Sequence, residues 1–282
     1  MSATLRIVHS TGYGYDGHAT SSFNEVRMVP RSTHEQQVLH SKIEVSPVPW
    51  TYNYTDYWGT QVTAFEVFER HEALTVVANS TVDIDRNAID GPTLSWDDLA
   101  TPSVADRHCE MLEMADRVAP TADLAAIVAG LRKTTATPYD FARRVVALIH
   151  GEMRYVFGAT NVQTRGAEAW ESRSGVCQDM AHLAIGALRL AGVPARYVSG
   201  YVMPKRSGGE VGVPYAGESH AWIQVWDGGW RGFDPTNNIV PGDLHVEVAV
   251  GRDYADVAPI MGIFTGGRTS HMFVTVEMTR LS

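Results

Sequence analysis

Cysteine is scarce in this chain, cationic side chains are outnumbered, and no apolar run is long enough to cross a bilayer. Each shortage excludes something. Two cysteines in 282 residues cannot build a disulfide framework or a four-thiolate zinc site, so each has to be read singly. Lys and Arg total 23 against 32 Asp and Glu, a formal charge of −9. Nucleic-acid binding needs a basic patch, and this balance argues against it. Spanning a bilayer takes about 20 consecutive apolar residues, and none occur. The first residues, Met1-Ser2-Ala3-Thr4-Leu5-Arg6-Ile7-Val8, alternate without a signal-peptide core. The expectation is a cytoplasmic protein that engages neither nucleic acid nor membrane. Internal repeats and low-complexity segments are missing too. With 44% hydrophobic residues, the chain has the apolar content of an ordinary globular protein.

What is present divides along the chain. Residues 1–86 read as an all-β, sandwich-like region. Leu5–Tyr15, Glu25–Val29, Val38–Val45, Val62–Phe68 and Leu74–Ile84 are short runs rich in β-branched and aromatic residues. In the last, Leu74, Val76, Ala78, Ser80, Val82 and Ile84 share one face at period two. Exposed edges in such a region would allow self-association into a homo-oligomer. Residues 87–136 read as a connector with a break at Gly91-Pro92 that becomes helical. Residues 137–282 read as an α+β unit. Thr137-Pro138 with Asp140 predicts a capped helix whose apolar face is Phe141, Val145, Leu148 and Ile149. Cys177–Ala191 predicts a second, with Met180, Leu183, Ala184, Ala187, Leu188 and Ala191 on one face and Gly192 and Pro194 as its stop. Strands follow at Ala195–Met203, Ser219–Trp226, Trp230–Asp234 and His271–Met278.

The chemistry concentrates around Ser174-Gly175-Val176-Cys177-Gln178-Asp179. Cys177 stands at the first turn of its helix, where unpaired N–H groups and the positive dipole end favour a thiolate. A thiolate is the nucleophile that amide chemistry needs, and the Cys177 backbone N–H would face a developing oxyanion. The nucleophile wants an imidazole, and the imidazole an orienting acceptor. His220 lies on one strand of a hairpin and Asp234 ends the other. A three-residue loop, Asp227-Gly228-Gly229, sets Trp226 opposite Trp230 and makes His220 and Asp234 diagonal neighbours on one face. A two-residue loop puts them on opposite faces. The plainer alternative is that Cys177 is a small buried hydrophobe and His220 structural. Cys109, with no glycine approach, reads as structural. His182, five residues after Cys177, does not share its helix face, so no metal is expected.

Four segments resemble the core of the bacterial transglutaminase-like superfamily: Gly175-Val176-Cys177-Gln178-Asp179-Met180-Ala181-His182-Leu183, Gly192-Val193-Pro194-Ala195-Arg196-Tyr197-Val198-Ser199-Gly200-Tyr201, Ser219-His220-Ala221-Trp222 and Phe233-Asp234-Pro235-Thr236. The front of the chain (His9, Thr11, Tyr13 and Tyr15, then Val29-Pro30-Arg31 and Asp56-Tyr57-Trp58-Gly59) is similar to that family's β-rich N-terminal region. Thr60 departs from its usual Asn, and Met180 from its usual aromatic residue. The resemblance implies a papain-like fold, a helix carrying cysteine on an antiparallel sheet, with Cys177 as nucleophile, His220 as general base and acid, and Asp234 as orienting carboxylate.

Around the triad, Gln178 is a candidate oxyanion donor, and Tyr155 and Trp222 are candidate cleft residues. Asp179 reads as a partner of the helix N-terminus. Trp170, Trp226 and Trp230 read as walls excluding water. The expected activity is a thiol-dependent amide-bond reaction through a thioester, on a peptide or protein substrate and without cofactor. Hydrolysis, as in a cysteine protease or amidase, leads. Acyl transfer to an amine, as in a transglutaminase, is the alternative, and a non-catalytic binding module on the same fold is a third reading.

Overall fold

The computed structural model describes residues 2–86, 94–203 and 210–282. The Gly91-Pro92 break lies outside them. The chain runs β1 (Ala3–Val26), β2 (Gln36–Ser46), β3 (Trp50–Thr55), β4 (Gln61–Val67) and β5 (His71–Ile84), then α1 (Trp96–Leu99), α2 (Pro102–Arg107), a 3-10 turn at Cys109–Met111, α3 (Ala122–Thr134) and α4 (Pro138–Glu152). After them come β6 (Arg154–Tyr155), α5 (Gly166–Ser172), β7 (Ser174–Gly175) and α6 (Cys177–Leu190). β8 (Ala195–Val202), β9 (Pro214–Trp226), β10 (Trp230–Phe233), β11 (His245–Gly251), α7 (Tyr254–Val257), β12 (Ile260–Gly266) and β13 (Ser270–Arg280) complete it. The architecture is α+β: a cysteine-bearing helix on an antiparallel sheet, preceded by an all-β region.

One sheet runs through both parts, in the order β11-β8-β9-β13-β1-β4-β3. β1 is far longer than the Leu5–Tyr15 expectation. Its register breaks between Gly14 and Ala19, with Gly17 at φ 92°, a conformation glycine reaches without strain. Before the break β1 pairs β5 and β13; after it, β4 and β12. Period-two burial in β5 holds from Leu74 to Ile84, but it feeds two cores. Leu74, Val76 and Ala78 join Tyr15, Val26 and Phe65. Val82 and Ile84 join Leu5, Ile7 and the helices.

α4 is capped as its sequence indicates, with the Asp140 N–H donating to Thr137 Oγ1 at 3.1 Å. The Asp140 carboxylate takes the Thr137 hydroxyl at 3.0 Å rather than the backbone N–H of a full capping box. α6 is not one-sided: every residue from Gln178 to Arg189 is buried. Met180, Leu183, Ile185 and Leu188 each contribute roughly 1.5–3 kcal/mol of burial, and most of its polar groups find partners, although Asp179 Oδ1 and His182 Nδ1 have none. The Arg189 guanidinium donates to the carbonyls of Ala195, Glu113 and Arg252, and His182 Nε2 accepts the Tyr254 N–H at 3.2 Å. Among the described residues, no helix is long and apolar enough to cross a membrane.

Candidate active site

Cys177 opens α6 and is partly exposed. The cap residue, Val176, has no side-chain oxygen to offer, and Asp179 supplies one instead. Its Oδ2 accepts the Val176 N–H at 2.8 Å and the Thr160 hydroxyl at 2.6 Å. Asp179 is fully buried, and burial raises its pKa, with both hydrogen bonds acting the other way. It thus closes the helix start as its position suggests. Gly175 makes this possible, since a Cβ there would lie 2.6 Å from Asp179 Oδ2. β7 is held by β6, which sets Tyr155 beside Gly175.

The hairpin adopts the three-residue loop, with Trp226 opposite Trp230 and Ile223 opposite Phe233. His220 Nε2 consequently donates to Asp234 Oδ2 at 2.8 Å. Cys177 is near enough to raise the imidazole's pKa, and with Nε2 committed to Asp234, Nδ1 is the nitrogen left for the sulfur. Burial alone would lower the His220 pKa. The hydrogen bonds and charges of Asp234 and Cys177 override it and bring it up to about 10. Asp234 is likewise fully buried, which by itself favours the acid. Hydrogen bonds from His220, His245 and Asn237 hold the carboxyl far below the usual carboxylate range.

The surroundings of Asp234 explain that strength. Oδ1 accepts the backbone N–H groups of Thr236 (2.9 Å) and Asn237 (3.1 Å), an Asx-turn closed by the Asp234–Ile239 bridge. Oδ2 also accepts the Asn237 side-chain amide at 2.7 Å and His245 Nε2 at 3.3 Å. His220, Asp234 and His245 form a group whose potential ligand atoms lie within 4.8 Å of one another. Three N–H donors, from the Thr236 and Asn237 backbone and the Asn237 side chain, already occupy the carboxylate beside the two imidazoles.

His220 lines a cleft of about 810 Å³ with Tyr155, Glu218, Asn237, Asp243 and His245. Tyr155 is half-exposed there, its phenol pushed up to about 12 by burial first, then by the charges of Cys177 and Glu218. A second cavity of about 710 Å³, lined by Arg143, Arg144 and Ile239, touches neither Cys177 nor His220.

Other candidates sit elsewhere. Trp222 is not a cleft residue: it is buried against Val198, Val250 and Trp58 and stacks under His220 at 6.2 Å, so it supports the imidazole. Gln178 is buried, and its amide points to the Asn161 carbonyl at 3.5 Å. Trp170 is buried over Asp123, while Trp226 and Trp230 pack on each other; none of the three lines the cleft. Cys109 is exposed. Asn237 and His245 escape a reading of the sequence. Asn237 is three residues past Asp234 in a turn-forming run, and that spacing is a usable signal. His245 opens β11, where Val246, Val248 and Val250 alternate. An alternating strand ordinarily turns its polar positions, here His245 and Glu247, to solvent, but β11 is buried on both sides.

Similarity to known proteins follows the same division. Residues 5–83 match the bacterial transglutaminase-like N-terminal region, and residues 125–235 match the transglutaminase-like superfamily. An uncharacterised protein of Mycobacterium leprae is 42% identical over 283 residues, covering 99% of each chain. A protein-glutamine gamma-glutamyltransferase of Pseudomonas aeruginosa is 27% identical over 158 residues, 53% of this chain and 21% of its own. In structure, a candidate cysteine protease from Cytophaga hutchinsonii superposes with a TM-score of 0.75 at 20% identity, covering 99% of this chain and 98% of its own.

Proposed function

Since the chain belongs to the transglutaminase-like superfamily, with that family's bacterial N-terminal region in front of the core, we propose that it is a thiol-dependent amide-bond enzyme using Cys177, His220 and Asp234. One observation carries this reading: an imidazole hydrogen-bonded to a buried carboxylate at the wall of an open cleft, with the cysteine of a helix start beside it raising its pKa.

His220, oriented by Asp234, takes the Cys177 proton, which sets a thiolate beside an imidazolium. The Cys177 sulfur attacks an amide carbonyl, and the carbonyl π-electrons move to oxygen. The Cys177 N–H, unpaired in the first turn of α6, faces that oxyanion. The Tyr155 phenol remains protonated at neutral pH and is the candidate second donor. As the tetrahedral intermediate collapses, the C–N bond breaks and His220 gives its proton to the departing amine. A thioester remains. Water, deprotonated by the now neutral His220, then attacks the thioester and releases the acid and Cys177. Peptide or isopeptide hydrolysis is the leading outcome. The likeness to the Pseudomonas glutamyltransferase favours a second one, in which an amine replaces water and a new amide forms.

The test is peptide-resolved mass spectrometry after brief exposure to limiting iodoacetamide at pH 6, comparing wild type with Cys177→Ala and His220→Ala. We expect fast single alkylation at Cys177, lost in the first variant and slowed at least tenfold in the second. Labelling of Cys177 no faster than that of Cys109 would remove the catalytic reading. Peptide amides with and without an added amine then separate hydrolysis from transfer.

A further inference from the structure

His245 has no part in the reaction just described, yet it is buried and bonded to the triad's acid. Its Nε2 reaches the same oxygen of Asp234 as His220 does, at 3.3 Å against 2.8 Å. Its Nδ1 accepts the Gly242 N–H at 3.4 Å, so the proton of the neutral ring sits on Nε2 and is donated to Asp234. The ring is walled in: Trp222 meets it edge-on at 5.5 Å, and the His220 ring centre is 6.0 Å away. Its backbone is anchored from the β-rich region. Arg86 Nη1 donates to the carbonyls of Gly242 (2.8 Å) and His245 (2.6 Å), and its Nε pairs with Glu35 at 3.3 Å. The charged groups facing His245 are therefore Asp234, His220 and Arg86. Burial lowers its pKa, and the two cations oppose the pull of Asp234, which keeps it neutral.

A carboxylate oxygen shared between two imidazoles grips each less tightly than it would grip one. That matters here because a general acid works best when its pKa lies near the working pH, and a catalytic imidazolium held too firmly releases its proton too slowly. We propose that His245 is a positioning residue that acts through Asp234, a neutral N–H donor held in place by Arg86, which moderates the grip of Asp234 on the His220 proton. This rests on the triad reading above. The β-rich region thereby contributes to the chemistry, by bracing the strand that carries His245.

The experiment measures Cys177 alkylation by iodoacetate across pH, resolved by peptide mass. This anionic probe reacts fastest while thiolate and imidazolium coexist, so its basic limb reports loss of the His220 proton. Two replacements without a donor and of different shape, His245→Phe and His245→Leu, are compared with His245→Gln, which retains an N–H. We expect the basic limb to move up by about one pH unit in Phe and Leu, about a tenfold rate difference on that limb, and to stay in place in Gln. A purely structural role lowers the labelled fraction without moving the limb. A limb that stays or falls in the folded Phe or Leu variant, or a Gln variant that shifts like them, overturns the proposal. A wild-type Cys177 with no advantage over Cys109 overturns the triad reading itself, which is a separate result.

Discussion

Tyr155 stands where two negative charges oppose its ionisation, and this decides what it can do. A phenol held near 12 by burial, Cys177 and Glu218 is a donor at every working pH and never a base. If it serves the oxyanion, Tyr155→Phe should lower turnover by about 10- to 1,000-fold, the usual cost of one such donor, while Cys177 alkylation stays at its wild-type rate. Slowed alkylation would instead place the hydroxyl in the activation of the thiol. Glu218 belongs to the same neighbourhood. It lies two positions before His220 on β9, hence on the same face of the strand, and lines the same cleft. A bound ammonium there would relieve the charge that raises Tyr155, so the phenol's titration should fall when a cationic peptide binds, which ultraviolet difference spectroscopy reads directly.

The start of α6 depends on steric room as much as on charge. Gly175 is needed for space: a Cβ would sit 2.6 Å from Asp179 Oδ2 and 2.9 Å from Asp179 Cβ. Gly175→Ala should therefore displace the carboxylate that caps the helix, costing about 1–3 kcal/mol and slowing Cys177 alkylation, as denaturant titration and the labelling assay would register. Wild-type stability in that variant would mean Asp179 is dispensable to the turn. Much of this element was legible in the sequence, because helix stops, the loop after Trp226 and the residues flanking Cys177 act locally. The three-residue loop decides the His220–Asp234 register through geometry a few residues long. His245 and Trp222 resisted for the opposite reason. Their roles arise where β11, β8 and β9 stack, and Gly200 shows how tightly: a Cβ there would fall 2.0 Å from the Val246 carbonyl oxygen and 2.5 Å from the Trp222 ring. Nothing in the pattern of β11 signals that both its faces are covered.

At the scale of the molecule, the front and back of the chain share one sheet and one main core, since Leu5, Ile7, Val82 and Ile84 pack with α4, α6 and Met278. β13 lies between β1 and β9, so the last strand ties the β-rich region to the site. His9 on β1 lies at this junction. Its Nδ1 is 2.9 Å from the Tyr201 hydroxyl of β8, which itself donates to the Met28 carbonyl at 3.3 Å. The hydroxyl proton is thereby committed, so Nδ1 is the His9 donor. Nε2 is left bare and buried without a partner. A proton added to Nε2 would have no acceptor, and burial accordingly lowers the His9 pKa to about 4. Below the ordinary histidine pKa of about 6.5 the unfolded chain takes up a proton that the native protein refuses. Stability is therefore intact above 6.5 and falls as pH drops toward 4, by about 3 kcal/mol from this group alone. Urea unfolding of wild type and His9→Gln, at pH 7 and pH 4.5, isolates its share. The wild-type midpoint should fall more between the two conditions than the variant's, in one transition followed alike by tryptophan fluorescence and far-ultraviolet circular dichroism. Equal falls would place the acid sensitivity at His182 or another buried histidine, and two separate transitions would mean that the β-rich region and the transglutaminase-like core unfold independently despite their common sheet.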